Sequence, residues 1–478
     1  MTGTHILVFP FPAQGHMIPL LDFTDQIIRS HDAGEITITI LVTPKNLPLL
    51  HQIMSVHPSI QTLVLPFPST SSIPLGAENA KDLTNPISFL AMIRALGGLH
   101  DPLIKWFRSH PSPPVAILSD MFLGWTHRLA KDLGIRRIVF SPSGALALSV
   151  MNSMWREVPT RRDPNDQNEV VSFGDVPNCP EYPWWQLSAL YRRYVGGDPD
   201  GEFLRDGFVD NLASWGLVVN TFDDLEGVYL KHLKKELGHS RVWAVGPVQP
   251  IEQSDPTTRG GSSSVSVDSI ISWLDKCDDH KVVYVCFGSQ AVLRNDQMEA
   301  LALGLERSGV RFVWSIKEPT EAHVEGGYGR VPHGFEDRVA GRGLVIKGWA
   351  PQVLILSHRA VGAFLTHCGW NSVFESVTMG VPMLTWPLRA DQFLNATLLV
   401  VQLKVAIRVW EGVQTVPDSV DLARVLVESV RDDDQALRQR ATRLSEAALE
   451  ATADGGSSVK DVESLIAHLT ALDTTANK

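Results

Sequence analysis

Short apolar segments alternate with longer amphipathic stretches along most of the chain, and this alternation constrains the fold more than any other feature. We predict strands at 6–11, 36–42, 61–65, 115–119, 137–140 and 216–220 in the first half, and at 282–287, 311–316, 344–347, 363–366, 383–385 and 405–409 in the second. Several of these segments are apolar on both faces, as in strands that helices cover on either side. Strands that alternate with helices form parallel sheets, so the two series predict an α/β protein with two doubly wound domains.

A segment of linker composition separates the two series. Residues 247–264 contain three prolines, the pair Gly260-Gly261 and three consecutive serines, a composition typical of a connection between domains. We therefore expect a first domain at 1–246, a linker at 247–264 and a second domain at 265–456. Residues 457–478 have a helical pattern, and we expect this helix to pack back onto the first domain.

Charge and cysteine usage argue against several kinds of partner. The chain has 42 Lys and Arg against 53 Asp and Glu, a net charge of −11, with short and mixed charged runs. Nucleic acids and acidic membranes select basic stripes, so we expect neither as a partner. The four cysteines show no paired spacing, which favours free thiols in a reducing compartment over disulfides or a zinc site; they are Cys179, Cys277, Cys286 and Cys368.

The N-terminus and the hydropathy pattern bear on location. The first residues lack a basic region, and Pro10 and Pro12 interrupt the apolar run that follows, so we expect no signal peptide. No apolar run approaches the length of a membrane span. We therefore expect a cytoplasmic protein without a transmembrane segment. We also expect a monomer.

The motifs of several familiar enzyme classes are missing. The chain has no G-x-G-x-x-G, G-x-x-x-x-G-K-[ST], G-x-S-x-G or H-E-x-x-H sequence. His333 and Asp337 match the H-x-x-x-D pattern of plant acyltransferases, but two residues at this spacing arise easily by chance among 16 histidines.

Residues 349–392 hold the densest group of side chains suited to binding a nucleotide sugar. Strand 363–366 leads through a turn with His367 and Gly369 into a helix that starts near Asn371, and amides at a helix N-terminus bind phosphate. Ser372 lies beside these amides. A simple helix cap and a structural histidine remain the alternatives for these residues.

The neighbouring residues suit the rest of such a ligand. Glu375 lies one turn into the helix, where a carboxylate can accept hydrogen bonds from a ribose. Asp391 and Gln392 follow strand 383–385, and Trp349 follows strand 344–347, all beyond the carboxyl ends of their strands, where parallel sheets bind ligands. The ring of Trp349 can stack on a base. Together these groups indicate a nucleotide-sugar site.

The 44 residues 349–392 closely resemble the signature box of plant family 1 UDP-sugar glycosyltransferases. That family adopts the GT-B fold of two facing Rossmann-like domains with an interdomain cleft. The resemblance extends along the chain to Phe11-Pro-Ala-Gln-Gly-His16 and Phe287-Gly-Ser-Gln290. Thr43-Pro-Lys-Asn46 and Ala340-Gly-Arg-Gly-Leu-Val345 look most like the subgroup that contains flavonol 7-O-glucosyltransferases.

The resemblance implies a role for each position of the box. Trp349 would stack on uracil, the Ala350 backbone would bind its edge, and Gln352 and Glu375 would hold the ribose. The diphosphate would be bound by His367, Asn371, Ser372 and Ser289, with Gly369 in the same turn. Trp370, Asp391 and Gln392 would contact the sugar, and Gln392 resembles glucose-using members. Ser141 would touch donor phosphate or sugar. UDP-glucose would be the co-substrate, and no metal would be needed because helix amides and His367 stabilise the leaving group.

Two residues of the first domain match the catalytic pair of the family. His16 follows the first strand at the carboxyl end of the sheet, and the resemblance implies that it removes the proton from the acceptor hydroxyl, a task suited to an imidazole. Asp120 ends strand 115–119 and would orient the histidine; a cap of the following helix is the alternative. Displacement opposite the departing UDP would convert an α-linked donor into a β-glycoside.

The acceptor is less constrained than the donor. Candidate pocket residues are apolar or aromatic, which suits a flat phenolic such as a flavonoid, although each could equally be an ordinary core residue; they are Phe122, Leu123, Met92, Trp184 and Phe203. Another UDP-sugar (rhamnose, galactose or xylose) and another acceptor (a benzoic acid, a terpenoid or a carbon atom) remain open. A related retaining or hydrolytic enzyme and a non-enzymatic UDP-sugar-binding protein are the different-class alternatives.

Overall fold

The computed structural model describes residues 4–31, 35–68, 70–83, 86–248, 263–431 and 435–476. The chain divides into two compact units, Met1–Ser254 together with Glu450–Lys478 (unit 1) and Asp255–Leu449 (unit 2). Most of the predicted linker 247–264 lies outside the described residues.

The strands, in chain order, are β1 (Thr4–Phe9), β2 (Ile36–Val42), β3 (Gln61–Val64), β4 (Ala116–Asp120), β5 (Arg136–Ser141), β6 (Val170–Ser172), β7 (Glu181–Pro183), β8 (Gly216–Val219), β9 (Val242–Ala244), β10 (Val282–Cys286), β11 (Arg311–Ile316), β12 (Gly343–Lys347), β13 (Val361–Thr366), β14 (Met383–Thr385) and β15 (Ala406–Arg408). The α-helices are α1 (Gln14–Arg29), α2 (His51–Val56), α3 (Pro86–Leu96), α4 (His100–Ser109), α5 (Thr126–Leu133), α6 (Ala145–Glu157), α7 (Ala189–Arg192), α8 (Pro199–Leu212), α9 (Asp223–Glu236), α10 (Val267–Leu274), α11 (Asn295–Ser308), α12 (Glu321–Glu325), α13 (Phe335–Arg338), α14 (Gln352–Leu356), α15 (Trp370–Thr378), α16 (Gln392–Thr397), α17 (Ser419–Ser429), α18 (Gln435–Thr452) and α19 (Ser457–Ala476).

Unit 1 contains a parallel sheet in the order β3-β2-β1-β4-β5-β8-β9. Its strands other than the exposed edge strand β3 are largely buried on both faces, because helices cover either side of a parallel sheet. The chain builds the sheet outward from β1 in one direction and then from β4 in the other. The carboxyl ends of β1 and β4 therefore lie side by side at the point where the strand order reverses, which is where such sheets bind ligands.

The sequence pattern did not predict two features of unit 1, strand β9 and the strand pair β6–β7. The three-residue strand β9 is too short to show a period, and it pairs with β8 at the edge of the sheet. The antiparallel pair β6–β7 lies in a long proline-rich connection. Arg156 ties this connection to the rest of the unit through ion pairs with Asp175 and Glu236.

The C-terminal helix α19 belongs to unit 1. Its apolar face contributes four side chains to the core beneath β1 and β2, and two polar contacts fix it to β9. Asp461 accepts a hydrogen bond from the Ala244 amide at 2.6 Å, and Trp243 donates to Ser464 at 3.2 Å. The core side chains are Val462, Leu465, Ile466 and Leu469.

Unit 2 contains a second parallel sheet, in the order β12-β11-β10-β13-β14-β15. The strand order reverses between β10 and β13, and their last residues, Cys286 and Thr366, are directly paired. The loops that follow these two strands are therefore neighbours, which brings residues 287–290 next to residues 367–369.

One helical stretch does not agree with the prediction that no apolar run approaches the length of a membrane span. Among the described residues, Ile87–Ser109 is long and apolar enough by that criterion, with 44% of its window buried. Charged residues interrupt this stretch, so the sequence shows no continuous apolar run there. Core helices pass the same test, and α3 within this stretch packs against α8.

Candidate functional site

His16 and Asp120 meet at the switch point of the unit 1 sheet. His16 lies in the first turn of α1, directly after β1, and Asp120 is the last residue of β4. His16 Nδ1 is 2.8 Å from Asp120 Oδ2, although 104 positions separate the two residues. The His16 side chain is 18% exposed and the Asp120 side chain is fully buried, so the pair presents the imidazole and not the carboxylate to solvent.

Asp120 also caps the turn that follows it. Its second oxygen, Oδ1, accepts a hydrogen bond from the Phe122 amide at 2.9 Å. The two predicted roles are therefore compatible, because one carboxylate oxygen serves the turn and the other serves His16. This double contact fixes the carboxylate in two directions.

Aromatic rings surround the His16 imidazole. Phe122 stacks on it with ring centroids 5.0 Å apart, and Phe11 contacts its edge at 5.5 Å. Phe89 packs against both of these phenylalanines, and Phe208 packs against Phe122. The imidazole therefore borders an apolar, aromatic environment. Sequence analysis found Phe122 but missed Phe89 and Phe208, which come from distant helices.

The other predicted acceptor residues have different surroundings. Phe203 is half-buried, with its ring against the backbone of Gly97. Trp184 is 8% exposed, and the Arg161 guanidinium lies 4.6 Å from the centre of its ring. Leu123 and Met92 have no exposed surface, so they support the fold without presenting atoms to solvent.

Ser141 ends β5 and is fully buried. Its hydroxyl donates to the Ser143 carbonyl at 3.0 Å. The adjacent N-terminus of α6 is already occupied, because the buried Glu226 carboxylate accepts hydrogen bonds from the Ala145 and Leu146 amides at 2.7 and 2.8 Å. The helix amides next to Ser141 are thus satisfied by the protein itself.

In unit 2, three predicted ribose and phosphate residues form one hydrogen-bonded group. Gln352 Nε2 lies 2.9 Å from Ser372 Oγ and 2.5 Å from Glu375 Oε2. The Tyr284 hydroxyl donates to Gln352 Oε1 at 3.2 Å, which fixes the amide from the other end. The start of α14 and helix α15 are thereby joined around the Glu375 carboxylate.

His367 follows β13 and is held between two glycines. A Cβ atom on Gly288 would lie 2.6 Å from its ring, and a Cβ on Gly369 would lie 2.4 Å from Nε2. Burial, with a smaller contribution from the positive charge of Arg389, lowers the pKa of His367 to about 3. In the described part of the chain, its buried Nδ1 has no hydrogen-bond partner. His367 is therefore a neutral imidazole at physiological pH.

The depressed pKa of His367 predicts an acid-sensitive unit 2. The unfolded chain takes up this proton near the ordinary histidine pKa of about 6.5, whereas the folded protein resists it down to about pH 3. The free energy of unfolding should therefore fall as the pH drops from 6.5, by up to about 1.4 kcal/mol per pH unit from this group. Urea unfolding at pH 7, 6 and 5 should show a shallower loss for His367→Gln than for the unsubstituted protein.

His333→Gln is the matched control for this experiment, because His333 is an exposed histidine of the same unit. Equal pH slopes for His367→Gln and the unsubstituted protein would contradict the low pKa.

The remaining predicted donor residues lie around the same edge of the sheet. Trp349 is half-buried directly after β12, and Ala350 accepts a hydrogen bond from the Gln352 amide. Asn371 lies in the first turn of α15 and Ser289 in the loop after β10, both half-buried. Trp370 is 4% exposed and packs edge-on against Phe374.

Asp391 and Gln392 lie where β14 leads into α16. Gln392 Oε1 accepts hydrogen bonds from the Leu388 and Arg389 amides at 2.9 and 3.0 Å, which leaves its Nε2 as the donor group. Buried Asn395 donates to Asp391 Oδ2 at 3.2 Å and to the Cys368 carbonyl at 2.9 Å. Asn395 thus orients Asp391, a role the sequence did not reveal.

Two cations near the β10 loop were also missed by sequence analysis. Lys317 donates to the Gln290 carbonyl at 3.4 Å, and Arg389 donates to the Gln290 side chain at 3.3 Å. Partial burial and the Arg389 charge lower the pKa of Lys317. Among the described residues neither cation has a carboxylate partner, so their positive charge is uncompensated beside the predicted diphosphate site.

We expect Arg389→Gln to weaken UDP binding about fivefold to tenfold without changing uridine binding, because only UDP brings negative charge to this edge. The salt dependence of UDP binding should also become shallower. Calorimetric titration with UDP and uridine at two salt concentrations measures both effects.

Arg424→Gln provides the control, since Arg424 is an exposed arginine of α17 that already has acidic partners. An equal loss of UDP and uridine affinity in Arg389→Gln would indicate a defect in folding and not a lost interaction with phosphate.

Within the described ranges, no group of three or more His, Cys, Asp and Glu side chains is arranged to hold a metal ion.

Known proteins resemble this chain along nearly its whole length. Residues 267–446 match the family model described as UDP-glucoronosyl and UDP-glucosyl transferase. UDP-glycosyltransferase 89B2 of Stevia rebaudiana is 58% identical over 470 residues, which cover 98% of each chain. Flavonol 3-O-glucosyltransferase UGT89B1 of Arabidopsis thaliana is 57% identical over 471 residues, covering 98% of this chain and 97% of that protein.

Solved structures agree with these relatives. Arabidopsis thaliana UGT89C1 complexed with UDP-L-rhamnose is 39% identical with a TM-score of 0.80, and the same protein complexed with quercetin gives a TM-score of 0.78. Each alignment covers 98% of this chain and all of the other.

The chain belongs to the plant family 1 UDP-glycosyltransferases, within the UGT89 subgroup, and is a transferase of the GT-B fold. The resemblance read from residues 349–392 is thereby confirmed.

Proposed function

We propose that this enzyme transfers glucose from UDP-glucose to a hydroxyl group of a flavonol, with inversion at the anomeric carbon. His16 accepts the proton of the hydroxyl, the oxygen forms a bond to the anomeric carbon, and the bond from that carbon to the diphosphate breaks with its electron pair leaving on UDP. The proposal requires that the groups of both units act on one pair of substrates.

The contact between His16 and Asp120 carries the proposal. Because Nδ1 faces a buried carboxylate, Nε2 is the nitrogen that can receive a proton. The carboxylate holds the imidazole in one orientation and stabilises the imidazolium that forms. General base catalysis of this kind raises rates by about 10²- to 10⁴-fold.

The surroundings of His16 support a flat aromatic acceptor. Phe122, which stacks on the imidazole, and Phe89, which packs against Phe122, are half-buried and can offer aromatic surface to an acceptor. Phe11 and Phe208 are buried and support these rings from behind. Stacked or edge-on aromatic pairs add about 0.5–1.5 kcal/mol each beyond area burial. A relative named flavonol 3-O-glucosyltransferase and a neighbour complexed with quercetin support the same acceptor class.

On the donor side, the proposal assigns uracil to Trp349 and Ala350 and the ribose to Gln352 and Glu375. The diphosphate lies at His367 and the first amides of α15, with Ser289, Asn371 and Ser372 beside it. His367 would act as a neutral hydrogen-bond donor, and the helix dipole would favour the charge that develops on UDP. With these groups and the two nearby cations, leaving-group departure needs no metal.

Glucose is the proposed sugar because Gln392 and Asp391 offer a donor and an acceptor to sugar hydroxyls, and because the 57% identical relative is named a glucosyltransferase. The neighbour UGT89C1 was solved with UDP-L-rhamnose, so the sugar has to be tested directly. The resemblance to the subgroup that contains flavonol 7-O-glucosyltransferases favours the 7-hydroxyl, whereas the name of that relative specifies the 3-hydroxyl.

The test combines purified enzyme with UDP-glucose, UDP-rhamnose, UDP-galactose or UDP-xylose and a panel of flavonols, benzoic acids and terpenoid alcohols. UDP release and the mass of the product identify donor and acceptor, and NMR of the product identifies the position. A flavonol glucoside supports the proposal. A higher kcat/KM with another UDP-sugar than with UDP-glucose contradicts the proposed donor. A higher kcat/KM with another acceptor class than with flavonols contradicts the proposed acceptor.

A further inference from the structure

Arg137 is an arginine buried in the core of unit 1. It is the second residue of β5 and is 2% exposed. Among the described residues no carboxylate lies within ion-pair distance of it, so its charge is not neutralised by direct contact. A buried charge without an ion pair destabilises a protein unless other interactions compensate for it. Other interactions must therefore stabilise the buried guanidinium at this position.

The guanidinium bonds to groups that surround the end of β4. Its Nε donates to Ser119 Oγ at 3.1 Å and Nη2 donates to the carbonyl of Asp120 at 3.4 Å. Nη1 donates to Asn211 Oδ1 at 2.7 Å and to Ser214 Oγ at 2.8 Å. All four acceptors are neutral, and two of them belong to consecutive residues at the carboxyl end of β4.

The partners of Arg137 extend the network to the turn after Asp120. Asn211 donates to the carbonyl of Met121 at 2.8 Å. Ser119 Oγ lies 2.8 Å from Thr126 Oγ1, and this hydroxyl donates to the carbonyl of Leu123 at 2.7 Å. The segment from residue 119 to residue 123 is therefore held by a network centred on Arg137, and this is the segment that presents Asp120 to His16.

Arg137 keeps its positive charge in this buried position. Burial lowers the pKa of Arg137 to about 9, and attraction by the negative charges of Asp210 and Asp120 opposes this effect. The guanidinium therefore remains protonated at neutral pH.

We propose that Arg137 is a positioning residue for the transfer reaction, which fixes the place of Asp120 and through it the orientation of His16. This inference rests on the proposed function. The competing explanation is that Arg137 only stabilises the core of unit 1.

A double-mutant cycle separates the two explanations. A residue that acts through Asp120 loses its effect once Asp120 is gone, whereas a general loss of stability lowers turnover by the same factor in either background. We expect Arg137→Met to lower kcat about 10- to 100-fold in the unsubstituted enzyme, by analogy with the loss seen when a group that orients a metal-binding side chain is removed. In the Asp120→Ala background the same substitution should change kcat by less than about threefold.

Two further measurements define the effect. The KM for UDP-glucose should stay within about twofold, because every proposed donor contact except Ser141 is in unit 2. Ser119→Ala is the milder variant if Arg137→Met does not fold; it removes one acceptor of the guanidinium, and its smaller loss of kcat should likewise vanish in the Asp120→Ala background.

Asp25→Asn is the matched control. Asp25 is also a fully buried polar centre of unit 1, bonded to Arg29 and His57, and its substitution should change kcat by the same factor with or without Asp120. Equal factors for Arg137→Met in the two backgrounds would overturn the positioning role. Unchanged turnover in both His16→Ala and Asp120→Ala would instead remove the pair from the mechanism, and the absence of any flavonol glucoside with the unsubstituted enzyme would overturn the proposed function itself.

Discussion

Replacing His16 with alanine is expected to lower kcat by about three orders of magnitude, within the range attributed to a general base. The loss follows from the geometry, since the imidazole is the partly exposed member of a pair whose carboxylate is fully buried. UDP affinity, measured by calorimetry, should change by less than about twofold, because its proposed contacts other than Ser141 belong to unit 2. Initial rates with saturating UDP-glucose and a flavonol give kcat.

His57→Ala is the matched control for this substitution. His57 is also a histidine of unit 1 whose ring lies 2.6 Å from a buried aspartate, Asp25, and it has no proposed part in the reaction. Its variant should therefore keep kcat within a few-fold of the unsubstituted enzyme. Full turnover in His16→Ala would remove His16 from the mechanism.

Substituting Gly288 with alanine is expected to weaken UDP binding about 30-fold, roughly 2 kcal/mol. Gly288 has a φ of 77°, and a Cβ there would lie 2.6 Å from both Cε1 and Nε2 of His367. The imidazole would have to move out of its place between the two glycines. Calorimetric titration with UDP measures the loss, and the pH dependence of unfolding reports whether His367 has become exposed.

The strain of a positive φ must be separated from the displacement of His367. Gly309→Ala serves this purpose, because Gly309 has a φ of 67° but no atom within 4 Å of the added Cβ. Its variant should lose roughly 1 kcal/mol of stability from backbone strain and keep its UDP affinity. Equal UDP affinities for the two variants would show that the contact with His367 is unimportant.

The parts of the fold and site that follow from sequence are those encoded over short distances. Strands of five or six apolar residues, such as β10 and β13, are recognisable because parallel strands are apolar on both faces. The group formed by Gln352, Ser372 and Glu375 falls within 24 positions, so its members could be assigned together.

Contacts between distant segments could not be predicted in the same way. The proximity of His16 and Asp120 depends on β1 and β4 being neighbours, and sequence position suggested it only with the help of a family resemblance. Arg137 shows the limit most clearly. An arginine at the start of an apolar strand is expected at the surface. Only the structure shows that its guanidinium is buried and bonds to Asn211 of α8 and Ser119 of β4.

The return of α19 to unit 1 has a consequence for how the protein is made. During synthesis the strands of the first sheet leave the ribosome well before Val462, Leu465, Ile466 and Leu469 exist, with the whole of the second unit translated in between. Until α19 has been synthesised, the apolar surface of unit 1 that it covers is exposed, and this surface can bind chaperones or aggregate. A nonsense mutation or proteolytic cleavage shortly after unit 2 would leave that surface permanently exposed. Loss of the C-terminal helix would therefore destabilise unit 1, which is built from the N-terminal half of the sequence.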